Sequence, residues 1–488
     1  MKQSLSFSLR FNYRLLLFLC GLLLVVLSVF MLLPFAVSLV SGDGAASGFG
    51  LSLAVTLPLG IVAIITSRRH RSYELRHIES LWITAVAWTV VPAVGALPYL
   101  FTNSTSNVAD ALFESFSGFT TTGSSVFGHP EALPHSLLVW RSLTQWMGGL
   151  GLMLFLIATV RSLSVGSLRL YGAEFSGTVQ RKLHPRIATS VRYMWTVYLF
   201  FTALLFAGLM LCGNGLEQSF CLALSTVSTG GFVPSSNTMA AISPLTATLL
   251  TLFMFLSGVN VALLYHLLRG GFLTVWRDEE FRVYIGLYLA AVVSCIVALL
   301  LAGNDIGISV AYPFFHIAST ISTCGYCLPK PVVWTQWLSA VTFVFILTGA
   351  SAGSTGGGIK LKRLMILLKY VGNYFTRMLH PNAVFRVSVN GKPIEADYVN
   401  KVFGYVFLYV LFVVAGGFVL TLSGCDIPVS LCVSAANMGN LGPSPLISSM
   451  GAAFDYATLP SFAKLFLAFL MTAGRIEIFA LLALFVKR

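Results

Sequence analysis

Long apolar runs and short half-apolar ones follow one another along the chain in a fixed rhythm. Ten runs reach the roughly 20 mostly apolar residues that a bilayer-spanning helix needs. They lie near 13–40, 48–67, 78–102, 137–162, 190–212, 244–268, 282–302, 333–370, 399–423 and 460–486. The first two are separated only by the polar turn Ser41-Gly42-Asp43-Gly44. The other eight pair off, and each pair encloses a shorter stretch ending in glycine: Thr120-Thr121-Thr122-Gly123, Ser228-Thr229-Gly230-Gly231-Phe232, Ser322-Thr323-Cys324-Gly325-Tyr326 and Asn440-Leu441-Gly442-Pro443. The pattern predicts an all-α polytopic membrane protein of ten transmembrane helices. Two leading helices (1–72) precede four helix–pore loop–helix units at 73–165, 166–275, 276–395 and 396–488.

Each short stretch is too short to cross a bilayer and too poor in charge for an aqueous loop, so it dips in and returns to the same side. Non-helical backbone at membrane depth is tolerated only where protein buries it or where it lines a watery cavity. Four such loops must therefore meet around one axis, in pseudo-fourfold symmetry carried by hydropathy rather than by identity. Each opens with a helical stretch whose first turn holds acids or proline, such as Asp110, Glu217, Pro313 and Asp426-Ile427-Pro428. The carbonyl end of such a half-helix carries roughly half a negative charge towards the bilayer centre, which favours a cation. One glycine of this kind reads equally well as a helix cap. Four on the same side favour a ring of backbone carbonyls that replaces the water shell of a monovalent ion. The candidate ion-binding residues are Thr121, Thr122 and Gly123, Thr229, Gly230 and Gly231, Thr323, Cys324 and Gly325, and Asn440, Leu441 and Gly442. Thr121, Thr229 and Thr323 stand two residues before a glycine, as threonine does in a potassium filter.

The run at 333–370 is interrupted by Gly349, Gly353, Gly356, Gly357 and Gly358, and reaches a basic edge only at Lys360. Each glycine costs a helix about 1 kcal/mol, so this segment is expected to break in mid-membrane.

Composition agrees. The chain is 57% hydrophobic and only 10% charged, against about 25% charged in soluble proteins. The net charge of +13 does not point to nucleic acid, because 26 of the 30 basic residues sit in alternate gaps between apolar runs or at the ends. That is the positive-inside bias, and it places both termini in the cytoplasm. The first run exceeds a signal peptide's apolar core and lacks a small-residue cleavage site, so it reads as a retained helix. The eight cysteines imply no disulfide framework, and Cys324-x-x-Cys327 has no partner at zinc-site spacing.

Charged residues inside apolar runs are costly and face a cavity or a partner. Arg475 reads either as an electrostatic barrier below the ring or as a structural tie with Glu477. Lys464 is expected to snorkel to the outer edge. Arg141 reads as structural or as part of an outer vestibule, and Asn260 and His266 as backbone partners.

Four segments together carry a family resemblance: WRSLTQWMGGLG (Trp140 to Gly151), TGASAGSTGGGIKLKR (Thr348 to Arg363), HPNAVFRVSVNGKPI (His380 to Ile394) and GRIEIF (Gly474 to Phe479). The chain resembles the Trk/Ktr/HKT superfamily of potassium-uptake membrane subunits, most of all the bacterial Trk type. The resemblance implies K⁺ held at the four loops, and an intramembrane gate that includes Gly349, Gly353, Ser354, Thr355, Gly356, Gly357, Gly358 and Lys360, with Arg475 as pore-blocking arginine. It implies a homodimer in the bacterial inner membrane and a cytosolic nucleotide-binding regulatory ring of Trk type. It implies no cofactor in this chain and no enzyme activity. The fourth loop departs from the family's Asn-x-Gly-Pro-Gly by Ser444 in the last place. Asn437-Met438-Gly439 offers a second register, and Gly442 fits the family's loop better. Sodium or mixed-cation transport is the alternative within the fold. A carrier with broken helices is disfavoured because the four units share one orientation, and no enzyme motif is present.

Overall fold

The computed structural model describes residues 13–67, 77–151, 187–328, 336–380, 386–442, 454–476 and 478–482. Most of them are helical. An antiparallel hairpin, β1 (Ser388–Val389) and β2 (Lys392–Pro393), turns through Asn390 and Gly391. Both turn residues have positive φ, the geometry that a two-residue hairpin demands.

Helices α1 (Tyr13–Ser41) and α2 (Ala46–Ser67) lead, followed by α3 (His77–Gly95). The half-helices are α4 (Val108–Phe119), α7 (Leu216–Val227), α12 (Ile306–Ile321) and α16 (Ile427–Met438). Between α4 and α7 stand α5 (His135–Gly149) and α6 (Ile187–Leu211). Between α7 and α12 stand α8 (Pro244–Ser257), α9 (Val261–Leu268), α10 (Phe272–Arg277) and α11 (Glu279–Leu301). Then come α13 (Gln336–Thr348), α14 (Leu361–Leu379) and α15 (Ala396–Leu422) before α16, and α17 (Ser461–Arg475) and α18 (Ile478–Leu482) after it.

Six of the described helices are long and apolar enough to cross a membrane, and a seventh span results if α8 and α9 are counted together. They fall on the expected runs near 13–40, 48–67, 78–102, 190–212, 282–302 and 399–423. The run 137–162 extends beyond the described residues. The run 333–370 divides at Thr348 and resumes at Leu361. The run 244–268 departs from expectation. It bends by 111° between α8 and α9, where Asn260 leaves the helical path and its side chain caps α9 by accepting from the Ala262 N–H (2.9 Å).

Polar side chains on the half-helices are buried, and several donate to the backbone of a neighbouring helix. Ser115 Oγ reaches the Pro92 carbonyl (2.6 Å) and Ser434 Oγ the Val413 carbonyl (2.7 Å). Such bonds satisfy hydroxyls and dock each half-helix where lipid supplies no donors.

Candidate functional site

All four half-helices end in the same way. The cap residue (Thr120, Ser228, Ser322, Gly439) is followed by a non-glycine residue at positive φ: Thr121 (55°), Thr229 (55°), Thr323 (61°) and Asn440 (53°). The next N–H turns back to a carbonyl five residues earlier: Thr122 to Ser117 (2.9 Å), Gly230 to Ser225 (2.7 Å), Cys324 to Ser319 (2.9 Å) and Leu441 to Ala436 (2.9 Å). This is the six-to-one bond of a Schellman end, built on threonine or asparagine, which pay a steric cost of order 1–2 kcal/mol in that conformation. A glycine at positive φ follows each time: Gly123 (84°), Gly231 (80°), Gly325 (86°) and Gly442 (68°). The cap reading and the ring reading are therefore not rivals. The cap is the residue before, and the glycine belongs to the strand beyond it. In the fourth loop, the register through Asn440 and Gly442 repeats the backbone of the other three; Ser444 lies outside the described residues.

The strands meet edge to edge. A Cβ on Gly123 would stand 2.2 Å from the Gly230 carbonyl oxygen, one on Gly231 2.0 Å from that of Cys324, and one on Gly442 2.2 Å from that of Thr122. Units one and two, two and three, and four and one are thus adjacent, which is the order of a ring. Side chains reinforce the seams. Asn440 Nδ2 donates to Thr122 Oγ1 (3.0 Å) and to the Met471 carbonyl (2.8 Å), and Ser124 Oγ donates to Asn437 Oδ1 (2.9 Å). Gln145 Nε2 donates to the Gly230 carbonyl (2.7 Å), and its Oε1 accepts from the Phe232 N–H (3.2 Å). Gly230 therefore already has one protein donor on its oxygen. Thr121 Oγ1 and Asn440 Oδ1 are buried acceptors with no hydrogen-bond partner among the described residues, and such oxygens suit a dehydrated cation.

The glycine-rich segment crosses just past the C-terminal ends of the half-helices. The Gly357 N–H donates to Thr323 Oγ1 (2.8 Å). Thr355 Oγ1 lies 3.2 Å from both the Val227 and the Ser257 carbonyls. A Cβ on Gly357 would stand 2.2 Å from the Gly439 carbonyl oxygen. Units two, three and four are thereby touched. Arg475 completes the crossing, since its guanidinium donates to the Thr355 carbonyl (2.6 Å), to the Gly148 carbonyl at the end of α5 (2.6 Å) and to that of Gly149. Lys360 Nζ turns back onto the Gly356 carbonyl. Gly349, Gly353, Gly358 and Lys360 all have positive φ, and Ser354 Oγ closes a local turn onto the Ser351 carbonyl (2.6 Å). A cavity beside this segment is lined by Trp88, Lys362, Arg363, Tyr405 and Arg475. Glu477 lies outside the described residues, and with it the alternative tie.

Two ion pairs with buried cations brace the ring. Arg141, 2% exposed, donates through Nε to Glu114 Oε1 (2.8 Å), through Nη2 to Ser125 (3.0 Å) and through Nη1 to the Val233 carbonyl (3.3 Å), and it covers the Phe232 ring at 4.1 Å. Glu114 Oε2 accepts from the Val126 N–H (3.0 Å). Arg141 thus joins the strand exits of units one and two. Lys464 does not snorkel. It is 2% exposed and pairs with Asp110 Oδ1 (2.6 Å) at the start of α4. The pairings escaped the sequence reading: Asp110 stood there only as a first-turn acid and Gln145 only inside a family segment, although an acid at the start of a half-helix was a usable sign of a cation elsewhere. In the exposed loops, Glu131 accepts from the Ser236 N–H (2.9 Å) and hydroxyl (2.7 Å), which hold its carboxyl down to about 2.

Removing one partner of a buried pair strands the other charge, at a cost of about 3–5 kcal/mol. Glu114→Ala is therefore expected to lower the thermal unfolding midpoint in detergent clearly more than Glu131→Ala, whose carboxylate is exposed. Equal midpoints would show that Arg141 finds another anion.

The TrkH cation transport protein family matches residues 52–488. The chain is 33% identical over 472 residues to the Trk system potassium uptake protein TrkH of Salmonella typhimurium, covering 95% of this chain and 96% of that protein. It is 30% identical over 476 residues to the Trk system potassium uptake protein TrkG of Escherichia coli, covering 96% of both. The crystal structure of the potassium transporter TrkH from Vibrio parahaemolyticus superposes with a TM-score of 0.86 at 30% identity, over 97% of this chain and 99% of that one. With four half-helices closing a ring of strands over an arginine-pinned glycine segment, and with kinship running almost end to end, the chain is an integral membrane protein that belongs to the TrkH family of cation transport proteins.

Proposed function

We propose that this chain takes up K⁺ through the ring formed by Thr121–Gly123, Thr229–Gly231, Thr323–Gly325 and Asn440–Gly442. The observation that carries the reading is the fourfold recurrence of one backbone shape, two residues at positive φ with a single residue between them, at the carbonyl ends of four half-helices. Half-helix dipoles and strand carbonyls together offer a cation what its water shell offered. The names of the curated relatives give potassium as the ion. The units run 73–165, 166–275, 276–395 and 396–488, with both termini cytoplasmic in a bacterial inner membrane, as the distribution of basic residues favours. The segment from Gly349 to Lys360 and Arg475 form the gate on the cytosolic side. The family resemblance supports reading it as a homodimer with a cytosolic nucleotide-binding ring docked on the basic inner face.

The test is tracer rubidium uptake by liposomes holding the purified chain, with K⁺ or Na⁺ as competitor. Block by K⁺ and not by Na⁺ is expected. Equal block by both ions would replace the potassium pore by the mixed-cation one, with Ser444, the fourth loop's departure from the family pattern, as the first suspect.

A further inference from the structure

We propose that Glu280 is a positioning residue that holds the glycine-rich segment in its closed place; this rests on the gate reading above. Three consecutive residues of that segment are bonded to a single stretch, 258–280. The Ser351 N–H donates to the Gly258 carbonyl (3.1 Å), the Ala352 N–H to Glu280 Oε1 (2.5 Å), and the Gly353 carbonyl accepts from the Val261 N–H (3.1 Å). Gly258 and Val261 flank the 111° bend between α8 and α9. A break of that kind leaves backbone groups without helical partners, and the glycine-rich segment supplies them.

Glu280 stands apart from its acidic neighbours. Asp278 caps α11, its Oδ1 accepting from the Phe281 N–H (2.9 Å). Glu279 pairs with Lys369 near the surface (2.6 Å). Glu280 alone of the three is turned inward, 5% exposed, onto the Ala352 N–H, with Lys360 and Lys362 as the nearby cations. A carboxylate is costly to bury unless its oxygens are bonded, and here the bonded group is the backbone of the segment that must move. The three bonds form one grip. Displacing the segment breaks them together, and a shift of the start of α11, which α10 joins to the bend, pulls on Ala352 directly. Force applied to the α9–α10–α11 corner would thus reach the pore through one side chain.

The geometry demands reach more than charge, and this sets the experiment. Rubidium uptake by proteoliposomes is compared for Glu280→Asp, Glu280→Gln, Glu280→Ala and the parent, with Arg475→Ala alongside. Aspartate keeps the charge but falls one methylene short, and glutamine keeps the reach without the charge. Asp and Ala are expected to raise basal uptake about tenfold, the factor that about 1.4 kcal/mol of lost holding contact gives. Gln is expected to stay within about twofold of the parent, because its amide oxygen still accepts the Ala352 N–H, and all three keep the parent's ion preference. Should Ala fail to assemble, as judged by size-exclusion elution, the contrast of Asp with Gln decides. Asp at the parent's rate, or Gln as leaky as Ala, overturns the proposal. A lowered unfolding midpoint with unchanged flux likewise overturns it, since that is a merely structural role. If Arg475→Ala raises uptake and Glu280→Asp does not, only the role of Glu280 falls. If neither does, the gate reading falls and takes this proposal with it.

Discussion

Gly123→Ser is expected to lose the preference for K⁺ over Na⁺. Two independent features exclude a side chain at this position. The residue sits at φ +84°, where an L-residue is strained by of order 1–2 kcal/mol. Its Cβ would also stand 2.2 Å from the Gly230 carbonyl oxygen, far inside van der Waals contact. The Gly230 carbonyl is held from its other side by Gln145, so relief must come from the strands of units one and two moving apart. A ring that selects by the number and spacing of its oxygens loses that spacing first at this seam. Because about 1.4 kcal/mol is a factor of ten, even a small displacement should cut the K⁺/Na⁺ preference about tenfold or more. Competition by Na⁺ in rubidium uptake reads this directly. A Gly123→Ser protein that folds and keeps the parent's preference would remove Gly123 from the filter.

Arg475→Ala has the second large expected effect, a rise in cation flux. The guanidinium carries a full positive charge and joins Thr355 of the glycine-rich segment to Gly148 and Gly149 of unit one. For an ion about 7 Å away at an effective dielectric constant near 20, one unit charge repels by roughly 2 kcal/mol. That corresponds to a flux increase of roughly thirtyfold, to which release of the segment would add. Arg475→Lys separates the two contributions. Lysine keeps the charge but cannot reach three carbonyls as a planar fork does, so its flux should lie between those of the parent and Ala. An Ala variant with parental flux and a lowered unfolding temperature would make Arg475 a structural tie instead.

The apolar runs and the four glycine endings were legible because each is a local property: a length of hydrophobic chain, or a glycine where L-residues strain. The break in 333–370 was legible for the same reason, with five glycines in ten residues. The bend at Gly258 was not, because one glycine amid Leu256, Ser257 and Val259 looks like any tolerated helix glycine. Its sign was the Asn260 that follows, a helix-cap residue in the middle of an apolar run. Lys464 was misplaced because a lysine near a helix start snorkels by default. Its partner Asp110 lies 354 positions away, a distance that only the ring makes short. Gln145 carries no local signal at all; its importance comes from standing behind unit two's strand.

The contacts that close the ring join its two ends in sequence. Thr122 meets Asn440, Ser124 meets Asn437 and Asp110 meets Lys464, each pair more than 300 positions apart. During synthesis these partners emerge from the ribosome at opposite ends of the process. A nascent chain that has inserted three units holds an open trough with one wall missing, and the carbonyls of its strands are not yet opposed across an axis. On the pore reading proposed above, ion passage is expected to begin only when the fourth unit seats. On that reading, a repeat built into one polypeptide couples completion of the chain to completion of the pore.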